Sequence, residues 1–157
     1  MIVDSTVLIS LGNLGKIELI KDCIIPENVL KEITNEPAKS ALLTLSFQKV
    51  APSKKSSEKS LSLLGDKYES GDPDIIALLL DFPSSLIASN DKRLRSICRA
   101  LGEKVTGTLG ILINSVKKYN ISKEEALMIL DKLNKMGFRM SLELYKTIRE
   151  IIEQNKF

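Results

Sequence analysis

Short apolar runs alternate with longer segments of helical spacing along most of the chain. The runs predict buried strands at Ile2-Val3, Cys23 to Ile25, Phe47 to Val50, Ser84 to Ser89 and Lys104 to Thr106. The intervening segments repeat apolar residues every three or four positions, which is typical of amphipathic helices. This alternation predicts an α/β fold, a three-layer α/β/α arrangement with a central parallel sheet.

The pattern changes after about Tyr119, where no further strand is predicted. Ser122 and Glu125 form a capping box before an apolar helical repeat, and Gly137 ends that helix. Ser141 begins the last helix. We therefore expect an α/β domain over residues 1–119 and a helical hairpin over residues 120–157 that packs on the same domain.

Residues 52–60 are the most polar and basic stretch of the chain. They predict a loop, either simply solvated or in contact with a phosphate. A helix over Leu61 to Tyr68 is expected to follow it.

The composition narrows the classes of function. The chain has 157 residues, enough for one domain, and 43% of them are hydrophobic. It contains no apolar run of transmembrane length and no signal-peptide pattern, so we expect a cytoplasmic protein without a membrane partner. Its two cysteines do not suggest a disulfide framework or zinc spacing. The absence of histidine excludes histidine-dependent catalysis, while the net charge of +3 permits a polyanionic partner.

Four acids recur at comparable places, namely Asp4, Glu32, Asp74 and Asp91. Asp4 and Asp91 closely follow predicted strands, and parallel sheets bind their ligands at the carboxyl edge of the strands. Carboxylates gathered at one edge repel each other unless a cation neutralises them. Oxygen ligands select hard ions such as Mg²⁺ or Mn²⁺, which support phosphodiester hydrolysis.

Each acid also has a purely structural explanation. Asp4 and Asp72 are suitable helix caps, Asp91 is a suitable turn residue, and Asp74 suits the first turn of a helix. Glu32 is suited to a solvated helical surface. The acids taken one by one do not decide between these roles and a metal site.

Several motifs resemble those of PIN domains, the nuclease fold of the toxins of VapBC toxin–antitoxin pairs and of flap-endonuclease relatives. The matching stretches are Ile2 to Thr6, Pro26 to Glu32, Asp74 to Ala77 and Ser89 to Asp91. Three further stretches are similar to an archaeal and bacterial subgroup: Gly71 to Asp74, Val105 to Gly110 and Gly137 to Ser141. The subgroup usually has Glu at positions 72 and 74 and often has Asp at position 90. The resemblance covers almost the whole chain.

The resemblance implies a metal-dependent ribonuclease. The implied catalytic acids are Asp4, Glu32, Asp74 and Asp91, and the implied Mg²⁺ or Mn²⁺ ligands are Asp4, Asp74 and Asp91. The residues expected around these ligands are Ser5, Thr6, Asp72, Ser89 and Asn90. The candidates for binding substrate phosphates are Lys92, Arg93, Arg95 and Arg99, which a solvated helix face explains equally well. The expected partners are RNA, an antitoxin protein and a second copy of the chain.

One alternative function remains open, and the sequence argues against another. A PIN-like fold that binds RNA or a protein without cutting is the alternative hypothesis. A haloacid-type phosphatase requires Asp-x-Asp after the first strand, and Thr6 at the second acidic position argues against it.

Overall fold

The computed structural model of the chain describes residues 1–65 and 71–154. Within these ranges a five-stranded parallel sheet has the order β3-β2-β1-β4-β5. The strands are β1 Ile2–Val3, β2 Cys23–Pro26, β3 Phe47–Val50, β4 Ile87–Ala88 and β5 Val105–Thr106. Helices flank the sheet, and the predicted three-layer α/β/α fold is confirmed.

The helices follow the strands in chain order. They are α1 Ser5–Leu14, α2 Glu27–Glu32, α3 Glu36–Leu42, α4 Lys54–Leu64, α5 Gly71–Asp81, α6 Lys92–Ala100, α7 Thr108–Lys117, α8 Lys123–Lys135 and α9 Leu142–Gln154, with a short 3₁₀ helix at Ile17–Leu19. No helix in the described ranges is long and apolar enough to cross a membrane.

The central strand β1 brings two chain segments to the same level of the sheet. Ile2 pairs with Ile24 of β2 and Ile87 of β4, while Val3 pairs with Ala88. The side chains of β1 and β4 are fully buried between the helical layers. The residues after Val3 and Ala88 therefore emerge side by side at the carboxyl edge of the sheet.

The loop predicted at residues 52–60 is wrong, because most of this segment belongs to helix α4. Ser53 caps the helix by accepting a hydrogen bond from the Ser56 backbone N–H. Asp81 at the end of α5 accepts hydrogen bonds from both Ser53 and Ser56. Ser56 and Ser60 are buried, so the packed face of α4 consists partly of small polar residues. Such residues predict a loop when only the sequence is considered. Of the helix predicted over Leu61 to Tyr68, the part beyond Gly65 lies outside the described residues.

The C-terminal hairpin forms from α8 and α9. Gly137 has a φ of 77°, a left-handed conformation that favours glycine, just after the end of α8. The hairpin adds Leu130, Ile148 and Ile152 to the same hydrophobic core as the sheet. Lys16 of the segment after α1 donates to Glu125 of α8 over 2.7 Å, which joins the hairpin to the α/β layers. The division into residues 1–119 and 120–157 stays a prediction.

Candidate metal site

Asp4 is a buried carboxylate held by hydroxyl groups. It directly follows β1, and only 3% of its surface is exposed. Its Oδ2 atom accepts hydrogen bonds from Thr6 Oγ1 at 2.5 Å and Ser89 Oγ at 2.7 Å, while Ser5 Oγ lies 3.4 Å from Oδ1. Asp4 occupies the N-cap position of α1, but its side chain does not bind a helix N–H. Helix capping therefore does not account for this carboxylate.

The charge of Asp4 lacks a cationic partner in the part of the chain that the structure describes, where none of the ion pairs involves it. An unpaired charge in a buried place is costly, and hydroxyl donors recover only part of the lost hydration. A bound cation would supply the missing compensation.

Glu32 connects three elements near Asp4. Its Oε2 atom accepts a hydrogen bond from Ser5 Oγ at 2.5 Å, and its Oε1 atom accepts one from the Gly71 backbone N–H at 2.6 Å. A Cβ atom at position 71 would lie 2.7 Å from Oε1 and 2.8 Å from a methyl group of Val29. Glycine at this position therefore allows the start of α5 to approach the end of α2.

Asp72 lies in the field of the other acids. Burial is the largest cause that raises its pKa, to about 6. The negative charges of Asp4, Asp91 and Glu32 also raise it, in that order. Arg93 opposes the shift, with its Nη1 atom 4.0 Å from Asp72 Oδ2. The charges of Asp4, Asp91 and Glu32 therefore all act on Asp72.

Asp91 has a structural role as well as a place in this group. Its Oδ1 atom accepts a hydrogen bond from the Leu94 backbone N–H at 2.7 Å, so Asp91 caps α6. Its own backbone N–H donates to Ser89 Oγ, whose hydroxyl donates to Asp4. Ser89 therefore connects the two acids that follow β1 and β4.

Asp74 is directed to a different neighbour. Its Oδ2 atom accepts a hydrogen bond from the Asn28 side-chain amide at 2.9 Å. Burial raises the pKa of Asp74, hydrogen bonds from Asn28 lower it, and the main charges acting on it are those of Lys31 and Glu27. Asp74 is therefore hydrogen-bonded to α2, whereas Asp72 lies within the electrostatic reach of Asp4, Asp91 and Glu32. Residues two positions apart on a helix point in different directions, which explains why the two acids have different neighbours.

Asn90 joins helices instead of facing the acids. Its Nδ2 atom donates to the Thr6 carbonyl at 3.0 Å, to Thr108 Oγ1 at 2.9 Å and to Ser10 Oγ at 3.2 Å. Its Oδ1 atom accepts a hydrogen bond from the Thr108 backbone N–H. This use of both amide ends explains why an amide suits position 90 of this chain.

The four predicted phosphate-binding residues differ in their surroundings. Arg95 Nη1 donates to the carbonyl oxygens of Ser89 and Thr106, both at 2.8 Å. Burial and the nearby charge of Arg99 lower the pKa of Arg95. Arg93 approaches Asp72, while Lys92 and Arg99 are exposed on α6. The helix therefore presents positive charge beside the acids, but Arg95 is partly committed to the sheet.

The donor chemistry of the acids fits a hard cation. In the described residues no three acids converge closely enough to enclose a metal ion by themselves. Mg²⁺ usually keeps several waters and is held through one or two carboxylates, which such an arrangement allows. The chain has no histidine, and carboxylate oxygens favour Mg²⁺ or Mn²⁺ over zinc.

A cavity of about 660 Å³ adjoins this acidic group. Thr6, Asn90 and Asp91 line its wall next to the acids. Phe138 and Arg139, from the turn between α8 and α9, also line the cavity. The sequence identifies residues 137–141 only as a family motif. The strand and helix patterns do not predict that this turn lies beside α6.

The parallel three-layer fold, with acids at the carboxyl edge of its central strands, is an α/β domain with a candidate ligand site at that edge. A family model described as a PIN domain matches residues 1–154, and the chain belongs to the PIN domain family. PIN domains are generally nucleases that use divalent metals and bind RNA. None of the curated proteins matches the chain.

Proposed function

We propose that this chain is a ribonuclease that hydrolyses RNA phosphodiester bonds with Mg²⁺ or Mn²⁺. One or two of Asp4, Asp72 and Asp91 would hold the cation directly, and the remaining acids, with Glu32, would contact its bound waters. Asp74, which the sequence favoured as a ligand, is left outside because it binds Asn28. The observation that carries the proposal is the burial of Asp4, without a cationic partner in the described ranges, among acids that raise the pKa of Asp72.

The divalent ion would supply positive charge to the phosphoryl oxygens and lower the pKa of the attacking water. The chain's own residues orient the ligands. Ser5, Thr6 and Ser89 fix the Asp4 and Glu32 carboxylates through the hydrogen bonds described above. Lys92 and Arg99 place positive charge on the adjacent exposed face of α6, where substrate phosphates can approach.

The test is cleavage of structured and single-stranded RNA with Mn²⁺, with Mg²⁺ and with EDTA. Asp4→Asn keeps the shape of the side chain but removes the buried charge, so we expect it to abolish metal-dependent cleavage. Glu58→Gln, on the exposed side of α4, is the matched control for loss of one acid and should cleave like the wild type. Equal cleavage by all three proteins would show that cleavage does not depend on Asp4 and would refute the proposal.

Within this proposal the chain acts in the cytoplasm, as a homodimer and as the toxin of a toxin–antitoxin pair. Its expression in a bacterial host should arrest growth, whereas expression of Asp4→Asn should not. Co-expression of a small protein encoded beside it should restore growth. Normal growth with the active wild-type enzyme would reject the toxin role and leave the ribonuclease proposal standing.

A second candidate is a module that binds RNA or a protein without cutting. The approach of Arg93 to Asp72 favours it, because an arginine can neutralise part of the acidic group without a metal. This function predicts that the wild type and Asp4→Asn bind RNA with similar affinity and that neither cleaves it.

A further inference from the structure

The residues that line the cavity beside Asp91 carry mainly positive charge, in contrast to the acidic group. Three cations, Lys92, Arg95 and Arg139, lie on its wall, whereas Asp91 is the one acid among its lining residues in the described ranges. A surface of this charge attracts an anion. Its volume of about 660 Å³ is typical of sites that enclose a small organic group.

The cavity also has an apolar wall. Leu109 of α7, Leu144 and Ile148 of the α9 segment, and Phe138 of the preceding turn line it. Phe138 is partly buried and packs against the hydrophobic core, so its position is supported by the fold. An aromatic ring beside cations is the combination that binds the bases and phosphates of single-stranded nucleic acid.

Arg95 is held in place before any ligand binds. Its Nη1 atom is fixed by the carbonyl oxygens of Ser89 and Thr106. Arginine carries five N–H donors, so the Nε and Nη2 donors remain for a ligand in the cavity. An oriented guanidinium loses less conformational entropy on binding a phosphate than a mobile one.

The cavity shares Thr6 and Asp91 with the surroundings of the proposed metal site. Thr6 and Asp91 line the cavity, while Thr6 also donates to Asp4 and the charge of Asp91 acts on Asp72. An RNA strand whose scissile phosphate lies at the acids would therefore place a neighbouring nucleotide in the cavity.

We propose that the cavity between α6, α7 and the C-terminal hairpin binds the nucleotide adjacent to the scissile phosphate. This inference rests on the proposed ribonuclease function and assigns specificity to the C-terminal part of the chain. Phe138 contacts the base, and Arg95 and Arg139 contact the sugar-phosphate backbone. The occupant is a segment of single-stranded RNA, as the combined positive and aromatic surface favours.

The test measures binding separately from cleavage. Fluorescein-labelled single-stranded RNA is titrated with Asp4→Asn protein at several salt concentrations. In this background Phe138→Leu should weaken binding about 5- to 100-fold, because base stacking on an aromatic ring is lost. Arg139→Gln should weaken binding and reduce the magnitude of the salt slope by about 0.7, because one phosphate contact to a single strand is lost.

Two matched controls lie away from the cavity lining. Phe82→Leu changes an exposed phenylalanine directly after α5, and Arg149→Gln changes an arginine on α9 that pairs with Glu153. Both should bind RNA like the parent. Arg139 is exposed, so its variant also tests the proposal if Phe138→Leu proves unstable.

The outcomes separate this inference from the proposed function. If the wild type cleaves RNA but the Phe138 and Arg139 variants bind it like the controls, the nucleotide cavity is refuted and the ribonuclease stands. If the wild type never cleaves but RNA binding still depends on both residues, the ribonuclease fails and the cavity remains an RNA site. Binding of a protein segment but not RNA at these residues would overturn the inference.

Discussion

Ser89 Oγ donates to Asp4 Oδ2 over 2.7 Å and so connects the residues that follow two neighbouring strands. The Ser89 hydroxyl also accepts the Asp91 backbone N–H. Ser89 is fully buried, so both hydrogen bonds are shielded from water. One hydroxyl therefore sets the relative positions of two acids in the proposed metal site.

Ser89→Ala should weaken Mn²⁺ binding about 10- to 100-fold, because the ligating carboxylate loses the hydrogen bond that orients it. The measurement is calorimetric titration of the protein with Mn²⁺. Ser115→Ala is the control, since this serine is equally buried but donates to the Ile111 carbonyl within α7. Equal Mn²⁺ affinity in both variants would contradict the role given to Ser89.

Asp72 and Asp74 offer a paired test of which acid of α5 serves the site. Asp72→Asn should lower Mn²⁺ affinity about 10- to 100-fold and reduce RNA cleavage, because the charges of Asp4, Asp91 and Glu32 act on the Asp72 carboxylate. Asp74→Asn should change both quantities less than threefold, about 0.6 kcal/mol, because its carboxylate binds Asn28. The reverse result would restore the assignment that the sequence favoured.

The raised pKa of Asp72 predicts a stability effect in the metal-free protein. The ordinary pKa of an aspartate is 3.8, and that of Asp72 is raised to about 6 in the folded chain, so the folded state binds the proton more tightly. Between these values the stability contributed by Asp72 falls as the pH rises, and above pH 6 the ionised group destabilises the fold. Asp72→Asn should therefore raise the free energy of unfolding at pH 7.5 by about 1–3 kcal/mol.

This difference should disappear below pH 3.8, where Asp72 is protonated in both states. Urea denaturation in EDTA at several pH values measures it, with Glu58→Gln as the exposed control. A variant that is less stable than the wild type at pH 7.5 would show that Asp72 makes net favourable contacts without a metal.

The sequence predicts the strands and helices that have a clear pattern of apolar residues. The apolar runs at Ile2-Val3 and Ile87-Ala88 are buried strands, and their parallel pairing follows from the strand–helix alternation. The sequence predicts only the last residues of α4, from Leu61 on, because Ser56 and Ser60 occupy part of its packed face where a helical pattern would show large apolar residues.

The candidate site was predictable only in part. Acids that directly follow strands have a defined position, which is why Asp4 and Asp91 were recognised. The choice between Asp72 and Asp74 depends on the rotation of α5 about its axis, which local sequence does not determine. Phe138 and Arg139 reach the cavity through the packing of the hairpin on the sheet layers, a contact between distant parts of the chain.

Asn90→Asp tests whether the family's frequent acid at this position would add to the site. The Asn90 amide donates to Thr6 and Thr108 and accepts from Thr108, so a carboxylate would lose the donors and face the Thr6 carbonyl. We expect the substitution to destabilise the fold by about 1–3 kcal/mol and to lower Mn²⁺ affinity through displacement of Thr6. Thermal unfolding and Mn²⁺ titration measure the two effects.

The control for this substitution is Asn120→Asp, an exposed asparagine after α7, which should leave both quantities unchanged. If Asn90→Asp instead bound an additional Mn²⁺ without loss of stability, the side chain would have turned toward the acids. That result would show that the bonds to Thr6 and Thr108 are dispensable, and that one amide-to-acid change converts a helix-joining residue into a metal ligand.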